Sequence, residues 1–127
     1  MFQDMFKRNG FSLLAVALVD FHDAMELMLD AANARDEAKL VALYPQVSDK
    51  LAAVEAETND AEIQAIRANL DGLLAMAKAA RKDDLPLLVQ SFLAEFSART
   101  RKSVTGVEPA AMRLLEQYHW PGNVREV

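Results

Sequence analysis

Residues 11–32 read FSLLAVALVDFHDAMELMLDAA, and their apolar side chains recur at alternating steps of three and four residues. This spacing places the apolar side chains along one face of a helix and predicts a helix over residues 11–34. An apolar face of this kind is stable when other helices bury it, so the helix is expected to belong to a bundle. The stripe consists of Phe11, Leu14, Leu18, Phe21, Met25, Met28 and Ala32.

Two further segments repeat the pattern. Asp36 can cap the first of them, and the cluster 58–60 can cap the second, with Glu62 placed to reach back to the cap. Pro45 lies inside the first and predicts a kink or break near residues 42–44, because proline removes a backbone hydrogen bond. The links are short, which predicts an antiparallel helical hairpin or three-helix bundle over residues 1–82. The stripes are Leu40, Tyr44, Val47, Leu51 and Val54, then Ile63, Ile66, Leu70, Leu73 and Ala77.

The composition agrees with an all-α fold. Hydrophobic residues make up 52% of the chain, and only four glycines and four prolines occur, which favours helices over a turn-rich β fold. The chain has no cysteine, which excludes disulfides and thiolate metal sites. Residues 1–80 carry a net charge of −6 and residues 81–127 a net charge of +1, which indicates a boundary near residue 82.

Charge and hydropathy also limit the partners. The net charge of −5 gives no general attraction to nucleic acid, so no direct nucleic-acid contact is expected. The apolar run at residues 11–19 is much shorter than the roughly 20 residues that span a membrane, so no membrane association is expected.

Three motifs mark the C-terminal part. They are DDLPLL at residues 83–88, PAAMRLL at residues 109–115 and WPGNVRE at residues 120–126. This combination resembles the C-terminal lid of the AAA+ ATPase domain of sigma-54-dependent transcriptional activators, the bacterial enhancer-binding proteins. The resemblance implies a helical AAA+ lid-like segment over residues 83–127, truncated at its C-terminus relative to that family. The predicted fold is therefore an N-terminal helical hairpin or three-helix bundle followed by this segment.

The resemblance also implies a nucleotide-binding role for three residues. Arg125 matches the sensor-2 arginine, which reaches the ATP phosphates from the lid. Gly122 matches the sharp turn before that helix, and Asn123 is placed to cap the helix. A guanidinium suits phosphate binding because it stays charged and donates in a planar fork.

Other parts of such an ATPase have no counterpart in the sequence. It contains no G-x-x-x-x-G-K-[ST] phosphate loop and no apolar strand that ends in paired acids for magnesium. We therefore expect a fragment or derivative of a sigma-54-dependent regulator that is not itself an enzyme and uses ATP only with a complete ATPase body. A homo-oligomer or an AAA+ ATPase partner and a cytoplasmic location are expected. Contact with sigma-54 RNA polymerase is implied only for the intact family.

The alternative hypothesis is a non-catalytic helical adaptor or chaperone that binds a protein partner through apolar helix faces. The expected surface is the face of Leu18, Phe21 and Met25, with Met28 and Met76 as further adaptable contacts. Under this hypothesis nucleotide has no effect on the chain.

No catalytic or metal site is predicted. The serines have no partnered histidine at a meaningful spacing, so no nucleophile–base pair is visible. His22 and Glu26 are one helical turn apart beside Asp20 and Asp23, but structural metal sites take about four ligands. This stretch is therefore interpreted as a solvated acidic face.

Overall fold

The computed structural model describes residues 7–103, 107 and 109–117. These residues form five α-helices and no strand, which confirms the predicted all-α class. The helices are α1 (Leu13–Asn33), α2 (Glu37–Glu55), α3 (Ala61–Ala79), α4 (Leu85–Ser103) and α5 (Pro109–Gln117), and a 3₁₀ turn at Lys82–Asp84 precedes α4.

The first four helices form a bundle in which each helix contacts its two neighbours. Helix α1 packs against α2 and α4, and α3 packs against α2 and α4. Because the links between successive helices are short, each helix reverses the direction of the one before it. Helix α4 therefore completes a four-helix bundle with α1–α3, and α5 contacts α1 from outside it. The division into segments 1–82 and 83–127 remains a prediction, although both contribute to one hydrophobic core.

Helix α1 is the central element of the bundle. Thirteen of its 21 residues are buried, against four of 19 in α2 and five of 19 in α3. The predicted stripe is buried from Leu14 to Ala32, and Phe11 before the helix is half-buried. The small side chains Ala15, Ala17, Ala24 and Ala31 are buried beside it. Small side chains let neighbouring helices approach closely, so α1 is covered on more than one face.

Side-chain caps begin the first three helices. Ser12 Oγ accepts a hydrogen bond from the Ala15 amide at 3.2 Å, and Asp36 Oδ1 accepts one from the Lys39 amide at 3.1 Å. Asp60 Oδ1 accepts one from the Glu62 amide at 2.8 Å. The caps predicted at Asp36 and in the cluster 58–60 are thus confirmed, and each satisfies a donor that the helix cannot pair internally.

The turn between α1 and α2 depends on Arg35, which has a φ of 56° in the left-handed region. Its amide donates to the Ala32 carbonyl, and the Asp36 amide donates to the Ala31 carbonyl, both at 3.0 Å. This pair of bonds is the Schellman motif, which satisfies the last carbonyls of a helix and usually has glycine at the left-handed position.

Of the kink or break predicted near residues 42–44, the break is wrong, because α2 runs without interruption from Glu37 to Glu55. Pro45 lies on the exposed side of the helix. The carbonyl of Val41, one turn earlier, loses its amide partner there. On the solvent side that carbonyl can bond to water, so the missing backbone bond does not end the helix.

Polar contacts join α2 to α3. Arg67 donates to the two carboxylate oxygens of Glu55 at 3.0 and 2.9 Å and to Ser48 Oγ at 2.8 Å. The Tyr44 hydroxyl donates to Asp71 Oδ1 at 2.5 Å. This hydrogen bond to the carboxylate, followed by partial burial, raises the pKa of Tyr44 above its ordinary value of 10.0.

We expect Phe21→Ala to lower the free energy of unfolding by about 3–5 kcal/mol, because the ring is fully buried between helices. Urea unfolding followed by circular dichroism measures the loss. Leu87→Ala is the matched control, since Leu87 is 66% exposed, and should change the value by less than about 0.5 kcal/mol. Similar losses in the two variants would contradict this core.

The raised pKa of Tyr44 predicts a pH dependence. Its contribution to stability is complete below the unfolded-state pKa and is lost as pH rises through the higher folded-state pKa. The free energy of unfolding of the native chain should therefore fall more steeply above pH 10 than that of Tyr44→Phe. Denaturant unfolding at several alkaline pH values measures the slopes, and equal slopes would contradict the Tyr44–Asp71 contact.

Candidate functional site: the lid-like segment

Helix α4 is the main described part of the lid-like segment, and one face of it is buried in the bundle. The apolar spacing in the sequence predicts that Leu85, Leu88, Phe92 and Phe96 line one face of this helix. Three of them are buried, and Leu88 is half-buried. Val89 and Leu93 are also fully buried, so the apolar face is wider than the sequence indicated. Since α4 contacts both α1 and α3, these helices cover that face.

Aromatic contacts fix the position of α4 on α1. The Phe21 ring meets the Phe96 ring edge-to-face, with centroids 4.8 Å apart and an interplanar angle of 78°. It meets Phe92 in a similar geometry at 6.4 Å and 72°. Edge-to-face pairs of this kind add about 0.5–1.5 kcal/mol to the burial of their apolar area.

Arg99 links α4 to the start of α3. Its guanidinium donates to Glu62 Oε1 at 2.7 Å and to Glu95 Oε2 at 2.6 and 2.9 Å. The hydrogen bonds to Glu95 and then Glu62 raise the pKa of Arg99. Nearby, the buried Thr100 hydroxyl donates to the Phe96 carbonyl at 2.8 Å, so this polar group is satisfied within the helix.

The Glu62–Arg99 ion pair was missed in the sequence. Glu62 was expected to reach back to the cap of α3, whereas its carboxylate binds an arginine 37 residues later. The sequence shows only that two helices carry opposite charges. It does not show which acidic residue forms an ion pair with which basic residue.

Helix α5 begins at Pro109, a residue suited to the first turn of a helix, and packs against α1. Ala111 is fully buried, and Met112 is half-buried against the core. The small Ala111 side chain allows close approach to α1, which places the start of α5 beside the bundle.

The predicted nucleotide-binding residues Gly122, Asn123 and Arg125 lie outside the described residues. Their role at the ATP phosphates therefore stays a prediction. The described part of the segment contributes the scaffold, which is α4 packed in the bundle with α5 beside α1.

Two interpretations of α1 are wrong. The predicted partner-binding residues Leu18, Phe21 and Met25 have no exposed surface, and neither has Met28, because other helices cover them. The predicted solvated acidic face contains His22, which is fully buried. Apolar periodicity shows which side chains are buried. It does not show whether a helix of the same chain or a partner protein buries them.

The comparisons with known proteins identify the C-terminal part. Residues 79–127 match the family model of the AAA+ ATPase lid domain. This segment is similar to AAA+ lid domains. The match begins four residues before the predicted start at residue 83, at the end of α3. The recognition of a lid segment of sigma-54-dependent regulators is confirmed over this region.

The relatives are bacterial transcriptional regulators. The transcriptional regulatory protein ZraR of Escherichia coli K12 is 32% identical over 129 residues, which cover 94% of this chain and 29% of ZraR. ZraR of Salmonella typhi is 53% identical over 47 residues, or 37% of this chain and 11% of that protein. The regulatory protein AtoC of E. coli K12 is 36% identical over 61 residues, or 48% of this chain and 13% of AtoC.

The chain thus spans less than a third of the length of these relatives. Its C-terminal part is similar to the lid of such transcriptional regulators. No solved structure gives a significant match. Across the described ranges, no helix is long and apolar enough to cross a membrane.

The ion pair between α3 and the AAA+ lid can be tested by charge reversal. Arg99→Glu should lower the midpoint of thermal unfolding, because it places a carboxylate beside Glu62 and Glu95. Adding Glu62→Arg should recover part of the loss by restoring one opposite-charge pair. Arg113→Glu, an exposed change of equal charge on α5, is the control. A double variant no more stable than Arg99→Glu would argue against the contact.

Proposed function

We propose that this chain acts as the lid-bearing part, or a derivative, of a sigma-54-dependent transcriptional regulator and contributes to ATP binding from its AAA+ lid. The observation that supports this most is the match of residues 79–127 to the AAA+ lid family, which includes the WPGNVRE motif at residues 120–126. The similarity to ZraR and AtoC supports transcription regulation as the process.

Arg125 is the residue to which we assign the nucleotide contact. Its guanidinium stays charged at any physiological pH and donates several hydrogen bonds in one plane, which suits phosphate oxygens. The family motif implies a turn at Gly122 and a helix cap at Asn123, which would carry Arg125 toward the nucleotide. The role of these three residues follows from the family motif at their positions.

The proposal assigns no ATPase activity to the chain alone. The phosphate loop and the magnesium-binding acids are missing from its 127 residues, so a complete ATPase body has to supply them. The partner is then an AAA+ ATPase or another copy of the regulator, acting in the cytoplasm. Contact with sigma-54 RNA polymerase belongs to the assembled regulator.

Binding of a non-hydrolysable ATP analogue, measured by calorimetry, tests the role of Arg125. The titration is run on the chain alone and on the chain mixed with the AAA+ ATPase domain of ZraR. With that domain present, Arg125→Ala should weaken the chain-dependent binding by about tenfold or more, since one charge-assisted contact contributes about 1.5–3 kcal/mol.

Arg113→Ala is the matched control, because it removes an exposed arginine of the same segment and should leave binding unchanged. Equal affinity of the native chain and Arg125→Ala would overturn the nucleotide role. So would a mixture that binds no more nucleotide than the ATPase domain alone.

A second candidate function is a non-catalytic adaptor, which exposed apolar side chains favour. Met76 on α3 and Leu87 on α4 are 52% and 66% exposed, although both are large and apolar. The adaptor hypothesis predicts binding to the ATPase domain that needs no nucleotide. Such binding would be weakened in Met76→Glu with Leu87→Glu and retained in Arg125→Ala, whereas the lid hypothesis predicts the opposite pattern.

A further inference from the structure

Three potential metal ligands meet on α1, away from the AAA+ lid motifs. His22, Asp23 and Glu26 each offer one ligand atom, and these atoms lie within 4.8 Å of one another. We propose that they bind one divalent transition-metal ion of the zinc class. The proposal is independent of the nucleotide role of Arg125.

Helix geometry explains why these three positions converge. Glu26 follows His22 by one turn, so both project from nearly the same side of α1. Asp23, next to His22, has a side chain short enough to fold toward them from the edge of that side. Metal–ligand bonds of about 2.0–2.2 Å place tetrahedral ligands roughly 3.4 Å apart. The ligand atoms therefore need only small side-chain rotations to share an ion.

The kinds of ligand atom decide the class of ion. One imidazole nitrogen with two carboxylate oxygens suits zinc and its neighbours among the divalent transition metals. Calcium and magnesium prefer oxygen ligands alone and larger coordination numbers, so they fit this set poorly. With three protein ligands, a water molecule would occupy the fourth position.

The surroundings of the cluster give an ion both a protein-covered side and a route of entry. His22 is fully buried, whereas Asp23 and Glu26 are only half-buried. The two carboxylates line a groove between α1 and α2, together with Asp20, Asp30 and Lys50, of which Lys50 pairs with Asp20 at 3.0 Å. The surplus of carboxylates in this groove attracts cations.

The burial of His22 separates this cluster from an ordinary acidic surface. A solvated acidic face, as the sequence suggested, would leave the imidazole in water, but here other side chains surround it. Burial also limits the positions open to the ring, which lowers the conformational cost of holding a ligand in place. The sequence interpretation rejected a metal because a structural site takes about four protein ligands. A site whose fourth position is occupied by water needs only three.

An ion at this position would stabilise helix α1, which contacts the AAA+ lid segment through Phe21. His22 directly follows Phe21, whose ring packs against Phe92 and Phe96 of α4. An ion that binds the folded chain in preference to the unfolded chain raises the unfolding temperature, and the rise grows with the logarithm of ion concentration over Kd. A rise in the thermal midpoint with Zn²⁺ is therefore the expected accompanying signal.

Calorimetric titration of the chelator-treated full chain with Zn²⁺ tests the proposal. We expect one ion per chain and no comparable heat with Mg²⁺. Asp23→Asn and Glu26→Gln keep side-chain size and should each weaken binding by about tenfold or more. Asp30→Asn is the matched control, because it removes the same charge from the same groove outside the cluster, and it should retain the native affinity.

His22→Gln should also abolish tight binding, and circular dichroism shows whether this buried variant folds. If it does not, the half-buried Asp23 and Glu26 variants decide alone. Co²⁺ provides an independent readout, since its visible absorption spectrum reports nitrogen ligation and low coordination number. Absence of Zn²⁺ binding by the native chain, or an equal loss in Asp30→Asn, would overturn the proposal. The first result would mean no site, and the second only general attraction to the acidic groove.

Discussion

The contact of Phe21 with Phe92 and Phe96 is the constraint on which the rest of the structure depends. It joins the most buried of the described helices to the helix that begins the lid motifs. Without it, α4 would expose a broad apolar face, and α1 would expose the large side chains on one of its sides. Because each helix covers the other, the bundle closes as four helices rather than three.

Helix α4 of the AAA+ lid segment is held in place by the N-terminal helices. The apolar face of α4 is covered from within the chain, and the Glu62–Arg99 ion pair joins α4 to α3. The N-terminal helices are therefore part of the support of the lid. The match to the AAA+ lid family lies in residues 79–127, so ancestry is clearest in that part of the chain.

Burial also changes which residues of α1 are available to bind a partner or a ligand. The residues that looked most suited to a partner, Leu18, Phe21 and Met25, are core. The stretch that looked least specific, around His22, is where the structure gathers three potential metal ligands. Both differences from the sequence interpretation have one cause. Other helices surround α1 on several sides, so His22 lies among protein side chains and not in water.

The sequence by itself determined the all-α class, the helices and most of their boundaries, since apolar periodicity and capping side chains such as Asp36 act within a few residues along the chain. The motifs of residues 83–127 also sufficed to recognise the AAA+ lid. The closure of α4 on α1, the Glu62–Arg99 pair, the continuity of α2 through Pro45 and the burial of His22 were decided only by the tertiary structure. Each depends on which distant surfaces meet, and a periodic stripe is compatible with many partners until packing selects one.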